Sequence, residues 1–242
     1  FALLTTFSSQ ILIFMIERWT SFSGTNTRGN HVAQPQRRAL FAKGAAGISL
    51  LGSSALSAHG ISEGFKTPQL NRINVPIKAL PEGLEGLRIV QLSDVHIGPT
   101  LRADFLKSVV DRVNALSPDL VAITGDLVDG SVAQLAEQVR PLADLKSRYG
   151  TFFTTGNHEY YSGADQWIGF LKSIGIKVLR NEHITLIHRQ TPIDIIGVDD
   201  WRAGVFGAGH GHDLPKAVGN REREQIGILL AHQPKSIFEA AE

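Results

Sequence analysis

The 242-residue sequence contains no cysteine, so disulfides and thiolate metal sites are excluded. The absence carries no information on compartment, because an exported chain can also lack cysteine. An excess of charge of either sign is missing too. The 24 Lys and Arg against 23 Asp and Glu leave a net charge of +1. That balance argues against a uniformly basic nucleic-acid binder, and no nucleic-acid partner is expected. No initiator methionine opens the chain, which starts at Phe1 and stops at Glu242 inside what reads as a helix. Both ends therefore read as cuts. A hydrophobic fraction of 43% is ordinary for a folded chain, but it is unevenly spread.

Phe1 to Ile16 carries no charge and is strongly apolar in its second half. It is slightly shorter than the roughly 20 residues that span a bilayer, so it reads as the tail of a transmembrane helix or as a buried or interfacial helix. Glu17 to Ala39, with Arg18, Arg28, Arg37 and Arg38, reads as a loop. Leu40 to Ala58 is apolar and rich in small residues, broken only by Lys43. Arg37-Arg38 directly before it resembles a twin-arginine export signal, with Ala55-Leu56-Ser57 as a small-residue cleavage site. The alternative is a second membrane helix whose small residues pack against the first. Arginines between two apolar segments put that loop in the cytoplasm. Whether anchored or exported, the chain after Ala58 is then extracytoplasmic. His59 to Pro81, with Pro68, Pro76 and Pro81, reads as a polar connector. The expected division is a membrane-anchor or signal region over 1–58, a connector over 59–86 and a catalytic domain over 87–242.

From Leu87 onward, strand and helix patterns alternate. Apolar runs at Leu87–Leu92, Leu120–Thr124 and Thr151–Thr155 read as strands. Helical spacing recurs over Ala103–Leu116, Gln134–Leu145 and Asp165–Ile174. Strands then crowd at Lys177–Leu179, Ile184–His188, Ile193–Val198 and Ile226–Leu230, with a helix beginning at Lys235. The alternation predicts parallel pairs with right-handed crossovers, and the later run predicts a second, partly antiparallel sheet. The fold class is α/β, a two-sheet β-sandwich flanked by helices, preceded by the apolar N-terminal helices.

Four strand ends carry the polar chemistry. Leu87–Leu92 leads to Asp94-Val95-His96, and Leu120–Thr124 to Gly125-Asp126-Leu127-Val128-Asp129. Thr151–Thr155 leads to Gly156-Asn157-His158-Glu159, and Ile226–Leu230 to Ala231-His232. A parallel arrangement gathers these ends at one rim, where ligands of open α/β sheets bind. Any one of them could be turn chemistry. Four in register, each supplying Asp, His or Asn, point to a shell for divalent metal.

At these residues the chain resembles the calcineurin-like metallophosphoesterase superfamily, and the apolar, arginine-containing leader joined to such a domain resembles the membrane-anchored or exported bacterial members. The ordered motifs are Asp-x-His, Gly-Asp-x-x-Asp, Gly-Asn-His-Glu and an isolated His. The resemblance implies the αββα form of the sandwich and two divalent ions, Mn, Fe or Zn. It implies that Asp94 and His96 bind the first metal, Asn157 and His232 the second, and Asp126 both. His158 would neutralise or protonate the leaving oxygen, Asp129 would orient a ligand, and Glu159 would cap or orient. The implied reaction is hydrolysis of a phosphate mono- or diester by a water activated between the cations, with Asp126 and His158 as the catalytic pair. A nuclease of the same superfamily and a catalytically silent scaffold are the alternatives.

The superfamily's last motif, Gly-His-x-His, would fall beyond Glu242, which predicts weak metal binding by this fragment. Gly209-His210-Gly211-His212 fits the bare pattern but precedes His232 and follows no strand, so its histidines are not counted as ligands. Asp199 and Asp200 read as strand-end turn residues, and His183 and His188 as structural.

Overall fold

The computed structural model describes residues 35–64 and 68–241. The chain divides into two units, one ending at Lys66 and the other beginning at Thr67. Phe1–Ile16 and the expected loop up to Gln34 lie outside the described residues.

In the first unit, helix α1 spans Pro35–Gly64. It begins inside the stretch expected to be loop, because proline at the start of a helix has its φ already set and lacks an amide no partner would satisfy. It also runs past Ala58. No helix among the described residues is long and apolar enough to cross a membrane.

The second unit is built on two sheets. Strands β1 (Ile89–Leu92), β2 (Leu120–Thr124), β3 (Thr151–Thr154) and β4 (Lys177–Val178) form a parallel sheet in that order. Strands β5 (Glu182–His188), β6 (Thr191–Gly197) and β7 (Ile226–Leu230) form the second, antiparallel between β5 and β6 and parallel between β6 and β7. Side chains alternate across a strand, so β2 is buried along its whole length on two different faces. Val121 and Ile123 meet the helices, while Leu120 and Ala122 join Phe152, Ile195 and Leu230 between the sheets.

Helix α2 (Ala103–Ala115) and helix α3 (Val132–Val139) cover the outer face of the first sheet. The pattern predicts a helix as far as Leu145, but α3 gives way to a 3₁₀ turn over Arg140–Asp144. Pro141 supplies no amide to the helical ladder and its ring crowds the preceding turn. Two short helices follow β3, α4 (Asn157–Ser162) and α5 (Ala164–Ser173). The sequence pattern assigns no helix to α4. Beyond a 3₁₀ turn at Ala203–Phe206, α6 (Leu214–Val218) packs on the second sheet and α7 (Ser236–Ala240) closes the described chain. The layers run helices, sheet, sheet, helix, as expected.

Candidate metal centre

The loops after β2 and β3 touch because both are glycine at the contact. A Cβ on Gly125 would lie 2.4 Å from the Gly156 amide nitrogen, and one on Gly156 would lie 2.2 Å from Oδ1 of Asp126. The loop after β1 is stitched to the loop after β2. The amides of Asp94, His96 and Ile97 donate to the carbonyls of Gly125, Asp126 and Leu127 at 3.2, 3.1 and 2.8 Å. Asp94, His96 and Asp126 all hold left-handed backbone, with φ of 54°, 50° and 52°. Side-chain-bearing residues rarely adopt that conformation, and it persists where surrounding bonds over-determine it.

Glu159 fastens this arrangement from beneath. Fully buried, it accepts the amides of Gly156 at 2.7 Å and Asp126 at 3.0 Å on one oxygen, and of Leu127 at 2.8 Å on the other. Burial pushes its carboxyl above the ordinary range and the Asp126 charge adds to this, although the three amides pull the other way. The bond to Gly156 also caps the start of α4, which explains a helix the pattern hid.

Three imidazoles are oriented alike. Asp129 Oδ1 accepts from Nδ1 of His96 at 2.9 Å and of His158 at 2.6 Å. His232 Nδ1 donates to the Thr124 carbonyl at 2.9 Å. A carboxylate or carbonyl oxygen can only accept, so each Nδ1 carries the proton and each Nε2 is left as the donor atom for a cation. The three Nε2 atoms lie 3.8, 3.9 and 3.3 Å from Oδ2 of Asp126, in the order His96, His158, His232. Asp94 Oδ1 lies 4.0 Å from His96 Nε2.

Asp126 is 4% exposed. Burial pushes its carboxyl up, but the bonds from His232 and from the His158 amide, 2.9 Å away, outweigh this and hold it below its ordinary value. Its partner His232 is pushed up to about 9, mainly by Asp126 and against the cost of burial. Without a cation, a protonated His232 sits against an ionised Asp126.

Two sets of donor atoms stand within 4.8 Å of one another: His96, Asp126 and His158, and Asp94, Asp126 and His232. Asp126 is common to both, and oxygen with imidazole nitrogen suits first-row divalent metals. The structure therefore brings together Asp94, His96, Asp126, His158 and His232. His158 stands with His96 in one set, and Asp94 of the other set also lies near His96. Asn157 opens α4 between Gly156, which abuts Asp126, and His158, whose amide bonds to it.

His210 and His212 join neither set. His210 bonds to Arg180 Nη2 at 2.8 Å, and His212 to Glu239 at 2.8 Å with its ring against Trp201. Asp199 is buried and grips Arg180 through both oxygens, at 2.9 and 2.5 Å. Arg180 itself carried no motif or periodicity that would single it out. His183 bonds to the Ala217 carbonyl and His188 to the Tyr149 hydroxyl, both away from Asp126.

A model of the calcineurin-like phosphoesterase family matches residues 87–240. A transmembrane protein with metallophosphoesterase domain from Danio rerio is 38% identical over 198 residues, covering 80% of this chain and 45% of that protein. Its namesake from Bos taurus is 38% identical over 195 residues, covering 77% and 44%. An uncharacterized metallophosphoesterase from Campylobacter jejuni is 37% identical over 177 residues, covering 73% and 45%. The alignments thus take in less than half the length of each of these relatives.

Proposed function

The chain belongs to the calcineurin-like phosphoesterase family, and on that premise we propose that it hydrolyses phosphate mono- or diesters at the Asp126 cluster with two divalent cations. The observation that supports this most is the aim of three Nδ1-anchored imidazoles at one carboxylate shared by both donor sets. Asp94 and His96 would hold one cation, and His232 with the Asn157 amide oxygen the other. Asp126 would serve both. Divalent cations lower the pKa of water enough for attack near neutral pH and offset the charge that develops on the phosphoryl oxygens. Asn157 contributes no charge, which leaves the site attractive to a phosphate. His158, half-buried at the rim, would act as the imidazolium, with its Nδ1–H held by Asp129 and its Nε2–H given to the departing oxygen. Asp129 orients both His96 and His158.

The same proposal puts this domain on the extracytoplasmic side of a membrane, held by the apolar N-terminal region or exported through it. Support comes from the uncharged run at Phe1–Ile16, from Arg37-Arg38, and from the vertebrate relatives named as transmembrane proteins. The activity is tested with bis(4-nitrophenyl) phosphate in the presence of Mn²⁺, Fe²⁺ or Zn²⁺. Metal-dependent release of nitrophenol is expected. No turnover with any of the three metals would leave a silent scaffold on the same fold.

A further inference from the structure

An exposed aromatic surface borders His158 and has no part in the chemistry above. Tyr161 lies on α4, is 61% exposed, and meets the His158 ring edge-on at 5.5 Å between centroids. Phe206, at the end of the 3₁₀ turn, is 40% exposed, with its ring 5.4 Å from that of Tyr161. This surface has a rigid base. Buried Tyr160 stacks on Phe206 at 5.5 Å and 26°, and also meets His210 edge-on at 5.2 Å. Arg180 ties the same loop down through His210 Nδ1 and the Gly209 carbonyl, and is itself clamped by buried Asp199. Val205, 81% exposed, extends the apolar edge. Large apolar side chains grouped in solvent are one signature of a ligand-binding surface.

We propose that Tyr161 and Phe206 form a shelf for a flat apolar ring on the leaving-group side of the phosphoester, so that the enzyme prefers substrates whose departing alcohol carries such a ring. The placement rests on the hydrolytic reading: the departing oxygen leaves toward His158, so the group attached to it must lie over the neighbours of His158 at the rim. Ring-on-ring contact is worth more than the area it buries, and two such contacts amount to roughly a tenfold gain in affinity.

The test is calorimetric binding, in the presence of Mn²⁺, of three phosphonates that cannot be hydrolysed: phenyl-, n-butyl- and methylphosphonate. On the full chain, phenylphosphonate should bind roughly tenfold tighter than methylphosphonate and clearly tighter than n-butylphosphonate. Tyr161→Ala and Phe206→Ala, both at exposed positions, should each cut the phenyl-to-methyl ratio severalfold. Equal affinity for phenyl- and methylphosphonate overturns the shelf, as does butyl binding equal to phenyl, an unchanged ratio in both variants, or no binding of any of the three. A phenyl preference without turnover of phenyl esters sinks the hydrolytic reading and leaves the shelf standing. Turnover without the preference does the reverse.

Discussion

Glu159→Ala removes a side chain that reaches no substrate, yet it should unfasten the site. The carboxylate is fully buried and satisfies three amides, of Gly156, Asp126 and Leu127, at 2.7–3.0 Å. Each buried donor left without a partner costs about 1–3 kcal/mol, and water entering the vacated space keeps the sum toward the lower end, about 3–6 kcal/mol. In a domain of this size each kcal/mol lowers the melting midpoint by about 2–4 °C, so a fall of roughly 6–24 °C is expected. Glu159→Gln keeps the shape. Turned so that its oxygen replaces Oε2, it retains the Asp126 and Gly156 amides and sets its NH₂ against Leu127, at a cost of about 1–3 kcal/mol. Scanning calorimetry on the metal-free protein gives the order wild type, Gln, Ala. Mn²⁺ titration should weaken in the same order, because the amides concerned belong to the loops that carry Asp126 and Asn157. An unchanged midpoint in Glu159→Ala, or a Gln variant less stable than the Ala variant, would refute the bracing role.

Asp129→Ala frees Nδ1 of both His96 and His158, and loss of such an orienting partner should cost about 10–100-fold in metal affinity or activity. Titration with Mn²⁺ and the diester assay check this, and unaltered values in both would contradict it. His158→Ala should still bind metal but lose about 10²–10⁴-fold in rate, so a fully active variant would remove its acid role. His232 titrates near 9 in the metal-free protein rather than at its ordinary 6.5. The stability it contributes is therefore fully present below about 6.5 and is lost as pH rises through about 9. A cation must displace that proton, so Mn²⁺ binding at neutral pH should release close to one proton per chain and tighten with rising pH. Calorimetry in two buffers of different ionisation enthalpy measures the release, and binding with no proton release would be inconsistent with the His232–Asp126 pair.

The two-sheet architecture was legible because alternation is a local signal. The apolar runs of β2 and β3 and the helical spacing of α2 and α5 stand out without knowledge of their partners. The four strand ends were legible for the same reason, since parallel strands must deliver Asp94, Asp126, Asn157 and His232 to a common rim. Helix α4 was hidden because glycine stands where a capping box usually has Ser or Thr, leaving Glu159 to show only half of the pattern. Helix α3 was read too long because helical spacing continues through Leu142 and Leu145 while Pro141 breaks the ladder. Which histidines share a donor set depends on Asp129, which bonds to residues 33 and 29 positions away. No periodicity reports such a bond. Phe206 and Arg180 carry no sequence signal for a related reason: each acts through contacts that only the packed fold creates.

The most direct test is anomalous diffraction at the manganese edge from crystals soaked in Mn²⁺. Peaks should lie beside Asp126, within bonding reach of the Nε2 atoms of His96 and His232, and Asp126→Asn crystals treated alike should lose them. Manganese absent from Asp126, or bound instead between His210 and His212, would contradict the account.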